Sequence, residues 1–338
     1  MFRQAGGMED PAMSLLDPHG RRINYLRLSV TDRCNLRCSY CRPPGGDGGP
    51  AVGEILSDED LLLLARTAVG IGIEKIRITG GEPLLRKGIA PLLSRFGEIP
   101  ALKKLVLTTN GFLLREMAGD LRRAGVESLN ISLDSLVPDR FARVTGGGRL
   151  RAVLEGIEKA QEYAFPHIKI NVVVMRGVNE DEVVRFASLT LDRPLTVRFI
   201  EHMPLTGKDC GPGLTVPGEE ILCKIREISR LTPRDKEDLG GPARYFRMEG
   251  AVGEIGIITP VSCHFCGDCN RIRVTSEGIA KGCLFSTRDV DLKPILAKGD
   301  AEGLRNTLRS VVGKKPSGHL FLREGRRGES VHMSRIGG

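Results

Sequence analysis

Cys34, Cys38 and Cys41 stand in a CxxxCxxC run, while Cys266, Cys269 and Cys283 form a second group, a CxxC followed, after thirteen intervening residues, by a third thiol. Thiolates are the ligands that iron–sulfur clusters and zinc select. Three of them, rather than four, hold a 4Fe–4S cluster with one iron left open to bind another molecule directly. Near the first group no further Cys or His stands close enough in the chain to complete a zinc tetrahedron. Near the second, Cys263 lies three residues before Cys266, so four thiolates could also close a structural zinc site. Spacing alone leaves zinc and a cluster both open there. Cys210 and Cys223 read as small apolar side chains.

A second set of side chains carries charge where charge is unusual. Arg27, Lys75, Arg77 and Lys169 fall on or beside apolar runs that read as parallel strands. Arg271 and Arg273 are two apart, so on a strand they face the same side. An apolar barrel interior ordinarily excludes such groups. One or two would be ordinary ion pairs, but a set of this size directed into one cavity suits an anion. The turn Gly80-Gly81-Glu82-Pro83 follows one of these runs. Its glycines allow close approach of the backbone to a ligand, and Glu82 is placed to accept a charge-assisted hydrogen bond from an ammonium. Alone, these four residues also describe an ordinary strand-to-helix turn.

Positioning all these groups falls to an alternation of strands and helices. Strands are expected at residues 26–30, 75–79, 104–108, 128–133, 168–174 and 195–200. Helices are expected between them, at 57–69 with Ser57 as N-cap and Asp60 completing a near capping box, then 89–96, 113–124, 150–164, and from an Asn179 cap to about 190. Six β–α units imply a mostly parallel sheet. Eight would close a full barrel, so six predict an incomplete (β/α)6 barrel, and a doubly wound sheet remains the other option. Both place functional groups at the C-terminal ends of the strands. After a Gly/Pro-rich stretch at 204–217 the pattern changes to a helix, short strands, the second cysteine group and terminal helices. The division expected is a flexible segment at 1–20, a partial barrel at 21–203, a smaller C-terminal region at 204–312, and a basic tail at 313–338 ending in Gly337-Gly338.

Bulk properties narrow the classes. The 338 residues are 41% apolar and 27% charged, enough for one large domain or a large and a small one. No apolar run approaches a membrane span, and the first twenty residues do not read as a secretory signal. Seven of nine cysteines in two tight groups, without an export signal, point to ligation in a reducing cytoplasm rather than to disulfides. A formal charge of +8 fits nucleic acid or a small polyanion, but 4% aromatic residues and no Trp supply a base-stacking platform poorly. No GxxxxGK[ST] loop and no further internal repeat is present.

The CxxxCxxC run, with Tyr40 before its third cysteine and Gly80-Gly81-Glu82-Pro83 one β–α unit later, resembles the signature of the radical S-adenosylmethionine enzymes. The resemblance implies that Cys34, Cys38 and Cys41 hold a 4Fe–4S cluster whose open iron chelates S-adenosylmethionine, and that one electron then yields a 5′-deoxyadenosyl radical. The segment from Phe265 to Arg273, with Cys283-Leu284-Phe285, is similar to the second-cluster motif of one branch, the GTP 3′,8-cyclases of molybdenum cofactor biosynthesis. Further resemblance lies in residues 26–33, 75–79, 107–111, 130–134, 198–204 and the final Gly-Gly, so it covers most of the chain. It implies two 4Fe–4S clusters, the second on Cys266, Cys269 and Cys283 with Cys263 a bystander. Arg27, Arg77, Thr108, Lys169, Arg271, Ile272 and Arg273 would contact GTP. Tyr40, Gly81, Glu82, Ser132 and Met203 would line S-adenosylmethionine. Gly337 and Gly338 would reach into the active site, with Arg271 and Arg273 assisting the chemistry. The implied reaction removes the ribose 3′ hydrogen of GTP, joins that carbon to C8 of guanine, and ends at (8S)-3′,8-cyclo-7,8-dihydro-GTP. Implied partners are a reductant protein and a pyranopterin monophosphate synthase that takes the product, with no membrane and no nucleic acid, and with a homodimer as one assembly. Asp268 departs from the neutral residue of that motif. Two other readings compete: a radical S-adenosylmethionine enzyme that modifies a peptide, and a zinc-ribbon protein that binds nucleic acid. His202 and His264 lie near the motifs without a role.

Overall fold

The structure, a computed structural model, describes residues 15–41, 54–203, 212–235, 239–286 and 289–318. Its organising feature is a run of strands with two chemically different faces. The first six strands are β1 (Tyr25–Ser29), β2 (Lys75–Thr79), β3 (Lys104–Thr109), β4 (Ser128–Ser132), β5 (His167–Val174) and β6 (Thr196–Glu201). They lie side by side in sequence order, every neighbouring pair parallel. Side chains alternate along a strand. One set, including Leu26, Leu28, Ile76, Ile78, Leu107 and Ile131, therefore joins the buried apolar cluster. The other set, including Arg27, Arg77, Thr108, Ser132, Asn171 and Arg198, lines a cavity on the opposite face.

Helices cover the apolar face. They are α1 (Asp58–Gly70), α2 (Ile89–Gly97), α3 (Leu114–Arg123), α4 (Pro138–Thr145), α5 (Leu150–Glu162) and α6 (Val183–Asp192). In α1 the buried residues Leu61, Leu64, Ala65 and Ala68 recur at helical spacing and form one stripe. Ser57 accepts from the Asp60 N–H while the Asp60 side chain accepts from the Ser57 N–H, so the expected capping box is complete. Two local expectations change. α4 was not foreseen, being a short turn of helix started by Pro138. Asn179 caps no helix through its side chain. Its Oδ1 instead accepts from the Met175 N–H at 2.7 Å, and its Nδ2 donates to the Asp134 carbonyl at 2.7 Å.

Among the described residues, the rest of the chain comprises α7 (Gly218–Arg226), β7 (Leu231–Arg234), β8 (Arg244–Met248), β9 (Glu254–Ile258), β10 (Arg271–Val274), β11 (Ile279–Lys281), β12 (Val290–Asp291), α8 (Lys293–Leu296) and α9 (Ala301–Gly313). It is woven into the same sheet. β9 adds in parallel beside β6, and β10 adds in parallel beside β1. The sheet order is β12-β11-β10-β1-β2-β3-β4-β5-β6-β9-β8-β7. The parallel part thus has two more strands than the six expected, one from the C-terminal region at each edge. The order of β1 to β6 never reverses, which removes the doubly wound alternative. At the N-terminus, residues 15–20 of the segment expected to be flexible are tied down. Leu16 bridges Arg22, and Arg21 Nε donates to Asp17 at 2.6 Å. The remainder of that segment lies outside the described residues.

Candidate active site

Both cysteine triads open into one cavity of about 320 Å³. Cys34, Cys38 and Cys41 enter from the loop after β1; Cys266, Cys269 and Cys283 enter from the segments before β10 and after β11. Cys263 is exposed and off the cavity wall, which leaves it outside the second triad. Asp268 is exposed as well.

The first loop is pinned mainly through backbone and amides. Arg37 and Ser39 N–H groups donate to the Thr145 and Val144 carbonyls at the end of α4, both at 2.9 Å. Asn110 donates to Asn35 at 2.8 Å and to Cys34 Sγ at 3.9 Å. Gly81 is required by this same loop, because a Cβ there would lie 2.3 Å from the Arg33 carbonyl oxygen. Glu82 is fully buried and not on the cavity wall. Its carboxylate accepts from Thr109 Oγ1 at 2.8 Å, Asn110 N–H at 2.7 Å and Leu84 N–H at 3.0 Å. Burial outweighs those three donors and pushes its pKa up to about 7. Tyr40 donates its O–H to Asp134 Oδ2 at 2.7 Å, and the Val173 N–H donates to Oδ1 at 2.9 Å. Burial again prevails, raising Asp134 to about 6. Burial, Asp134 and the neighbouring thiols push Cys38 well up.

The second triad has the opposite surroundings. Burial alone would raise Cys269, but Arg271 and Lys315 overcome it and bring the thiol down to about 6. Arg271 donates toward Cys269 Sγ at 3.7 Å and lies over the Phe265 ring, 5.1 Å from its centre. Glu201, at the end of β6, holds the loop leading to this triad. Its carboxylate accepts from the Val261 and Ser262 N–H groups, both at 2.9 Å, and from the Gly218 N–H at 2.7 Å.

Between the triads the wall is cationic. The strand register sets Arg27 beside both Arg77 and Arg273. Burial, then mutual repulsion with Arg273, lowers the pKa of Arg27; burial lowers Arg77; burial and Arg271 bring Arg273 down to about 10. Depression of this kind means that the fold concentrates positive charge at an energetic cost, which a bound anion relieves. Arg77 Nε, Thr108 Oγ1 and both ring nitrogens of His202 are buried with no hydrogen-bond partner. All three residues line the cavity, and such orphaned polar atoms await a ligand's polar groups.

Of the residues singled out in the sequence, Tyr40, Gly81, Ser132, Met203, Arg27, Arg77, Thr108, Arg271 and Arg273 meet on this wall with all six cysteines. Lys169 and Ile272 are buried but do not line it; the Lys169 ammonium sits 5.6 Å from the centre of the Tyr245 ring. Gly337 and Gly338 lie outside the described residues. Missing from the sequence reading were Arg198 and Asn171, which face the cavity and pair at 2.9 Å. Gly256 makes room for Arg198, since a Cβ would meet its Cγ at 2.7 Å. Arg198 stood in a recognised run, and period-two alternation with Ile200 would have placed it inward.

Six thiols in two triads, beside orphaned polar groups and a cationic wall, fit two clusters and an anionic ligand. An incomplete parallel barrel with a cysteine triad after its first strand defines the radical S-adenosylmethionine class. Residues 28–190 match the Radical SAM superfamily, and residues 195–321 match the Molybdenum Cofactor Synthesis C family. Among solved structures, Streptococcus suis SuiB bound to S-adenosylmethionine has the same fold, with a TM-score of 0.61 at 16% identity over 86% of this chain and 69% of that one. Within the class the relatives are specific. The chain is 58% identical to the GTP 3′,8-cyclase of Geobacter sulfurreducens over 326 residues, 96% of this chain and all of that one. It is 45% identical to that of Pelotomaculum thermopropionicum, over 95% of this chain and 99% of that one. The chain belongs to the GTP 3′,8-cyclase family.

Proposed function

We propose that this protein converts GTP to (8S)-3′,8-cyclo-7,8-dihydro-GTP, the first step of molybdenum cofactor biosynthesis, with two 4Fe–4S clusters and S-adenosylmethionine as cofactors. The observation that carries the substrate assignment is the arginine-lined wall joining two cysteine triads in one cavity. Cys34, Cys38 and Cys41 would hold the first cluster, and Cys266, Cys269 and Cys283 the second. A cluster held at the first triad, with S-adenosylmethionine, would supply the 5′-deoxyadenosyl radical needed to remove the ribose 3′ hydrogen.

The chain's own residues bind and orient. GTP brings about four negative charges, which Arg27, Arg77, Arg271 and Arg273 would neutralise through charge-assisted hydrogen bonds. Thr108 Oγ1 is available to the same ligand. Lys169 and Ile272 act from behind the wall, through charge and packing. Tyr40, Gly81, Ser132 and Met203 face the S-adenosylmethionine side, and Glu82 supports that side from beneath, by fixing the Thr109-Asn110 turn. Arg271 and Arg273 would assist the closing reduction and protonation, and a role for Gly337-Gly338 rests on family resemblance. A reductant protein, transfer of product to a pyranopterin monophosphate synthase, and assembly as a homodimer rest on family resemblance. A cytoplasmic setting suits six thiols that must stay reduced. Among the described residues no helix is long and apolar enough to cross a membrane.

The test is anaerobic reconstitution with iron and sulfide, addition of S-adenosylmethionine and a reductant, and measurement of 5′-deoxyadenosine with and without GTP. Strong stimulation by GTP with matching consumption is expected. Slow production indifferent to GTP would overturn the substrate.

A further inference from the structure

Lys315 lies just beyond α9, at the start of a stretch whose composition is basic and Gly-rich, yet it is only 3% exposed. A buried ammonium is costly unless its N–H groups find acceptors. Here all three do. Nζ donates to the Gly282 carbonyl at 2.7 Å, to the Arg271 carbonyl at 3.0 Å and to Cys269 Sγ at 3.4 Å. One cation thus ties the residue before Cys283 to the strand that follows Cys269. The remaining cysteine of the triad is reached from the other end of the chain. Arg21 donates to the Cys266 carbonyl at 2.6 Å and to the Pro316 and Ser317 carbonyls at 2.6 Å and 3.1 Å. Asp17 in turn fixes the Arg21 guanidinium.

We infer that Lys315, supported by Arg21, is a positioning residue for the second cluster: it sets the spacing of the three cysteine segments and donates an N–H···S bond that raises the cluster's reduction potential. This inference rests on the reading of Cys266, Cys269 and Cys283 as cluster ligands. The two carbonyl contacts account for the architectural part of this role. The third contact, to a ligand sulfur, is what predicts an electronic effect. A reduced cluster carries one more negative charge than an oxidised one, so an adjacent cation that donates to its sulfur favours reduction.

The experiment uses the full chain carrying Cys34→Ala, Cys38→Ala and Cys41→Ala, which leaves only the second triad. Iron content, absorption and a redox titration followed by electron paramagnetic resonance are compared for Lys315, Lys315→Gln, Lys315→Met and Lys315→Arg. Glutamine keeps a donor and removes the charge, so this variant loads iron and its midpoint moves negative. Methionine removes both, and the cluster is lost to a chelator roughly 10–100-fold faster, the usual cost of an outer-shell partner. Arginine returns the midpoint toward that of the parent. A Lys315→Gln midpoint equal to the parent's overturns the inference, and this comparison decides even where Lys315→Met does not fold. A parent that takes up no iron–sulfur chromophore instead overturns the assignment of the second triad.

Discussion

Cys38 and Cys269 are the same side chain opening onto the same cavity, yet the fold drives them in opposite directions. Around Cys38 it assembles burial, the Asp134 carboxyl and two more thiols, all of which oppose a further negative charge. Around Cys269 it sets Arg271 and Lys315, which outweigh burial. The difference follows from where each triad is attached. The first sits on a loop held by α4 and by the Thr109-Asn110 turn, partners that offer backbone and amide groups. The second flanks β10, a strand that faces its arginines into the cavity. The cationic wall is therefore continuous with the second triad, and in the proposed reading a polyanionic substrate would bind at that end, leaving the first for the methionine cofactor.

The most severe test of this division removes one ligand from each triad. Cys38→Ala is expected to reduce 5′-deoxyadenosine formation to background, a loss larger than the roughly 10–100-fold typical of an outer-shell partner. Cys269→Ala is expected to keep slow cleavage of S-adenosylmethionine, no longer coupled to GTP. Equal loss of cleavage in both variants would show that the triads do not divide the work. Next in size is Arg77→Met. Losing one charge-assisted contact costs about 1.5–3 kcal/mol, roughly 10- to 150-fold in KM for GTP. S-adenosylmethionine should be little affected. The same variant assayed for guanosine binding should match the parent, because no triphosphate is there to miss the arginine.

How far this contrast could be read from sequence depends on the kind of signal. Both triads were legible as spacing, and the inward arginines as charge on apolar strands. β1 to β6 were legible because each is a short apolar run closed by a polar turn. β9 and β10 were not assigned to the parallel sheet, since local sequence does not say which edge a late strand joins. Glu82 was expected to face the cofactor; its acceptors are instead turned onto Thr109, Asn110 and Leu84, a choice made by packing. Lys315 and Arg21 could not be found from sequence, because they act through carbonyls of residues 33 to 296 positions away. Composition read Lys315 only as part of a basic tail.

Glu82 tests whether the floor of the first triad is as anion-averse as its walls. The carboxyl titrates near 4.5 when unfolded and about 7 when folded. Between those values the native state binds the extra proton. Its contribution to stability is present at low pH and is lost as pH rises toward 7, by at most about 1.4 kcal/mol per unit. Glu82→Gln turns an amide N–H toward a backbone or hydroxyl donor and should destabilise the metal-free protein by about 1–3 kcal/mol near pH 5. Urea melts at pH 5, 6 and 7 should show that gap narrowing as pH rises. A gap that does not vary with pH would mean the carboxylate is charged throughout.

The smallest expected effect probes the boundary between the two regions. Tyr40→Phe removes the 2.7 Å hydrogen bond to Asp134 and leaves the ring in place. A net loss of about 0.5–1.5 kcal/mol translates to roughly a 2- to 12-fold rise in KM for S-adenosylmethionine. The Asp134 carboxyl, already raised to about 6 by burial, loses one of the two donors that hold it down and moves further up. That shift favours the protonated carboxyl, which lessens the negative field on Cys38. If the first triad is an isolated compartment, KM for GTP stays unchanged in this variant. If it rises in step, Tyr40 and Asp134 couple the two ends of the cavity, and the contrast between the triads is a gradient across one site rather than a partition into two.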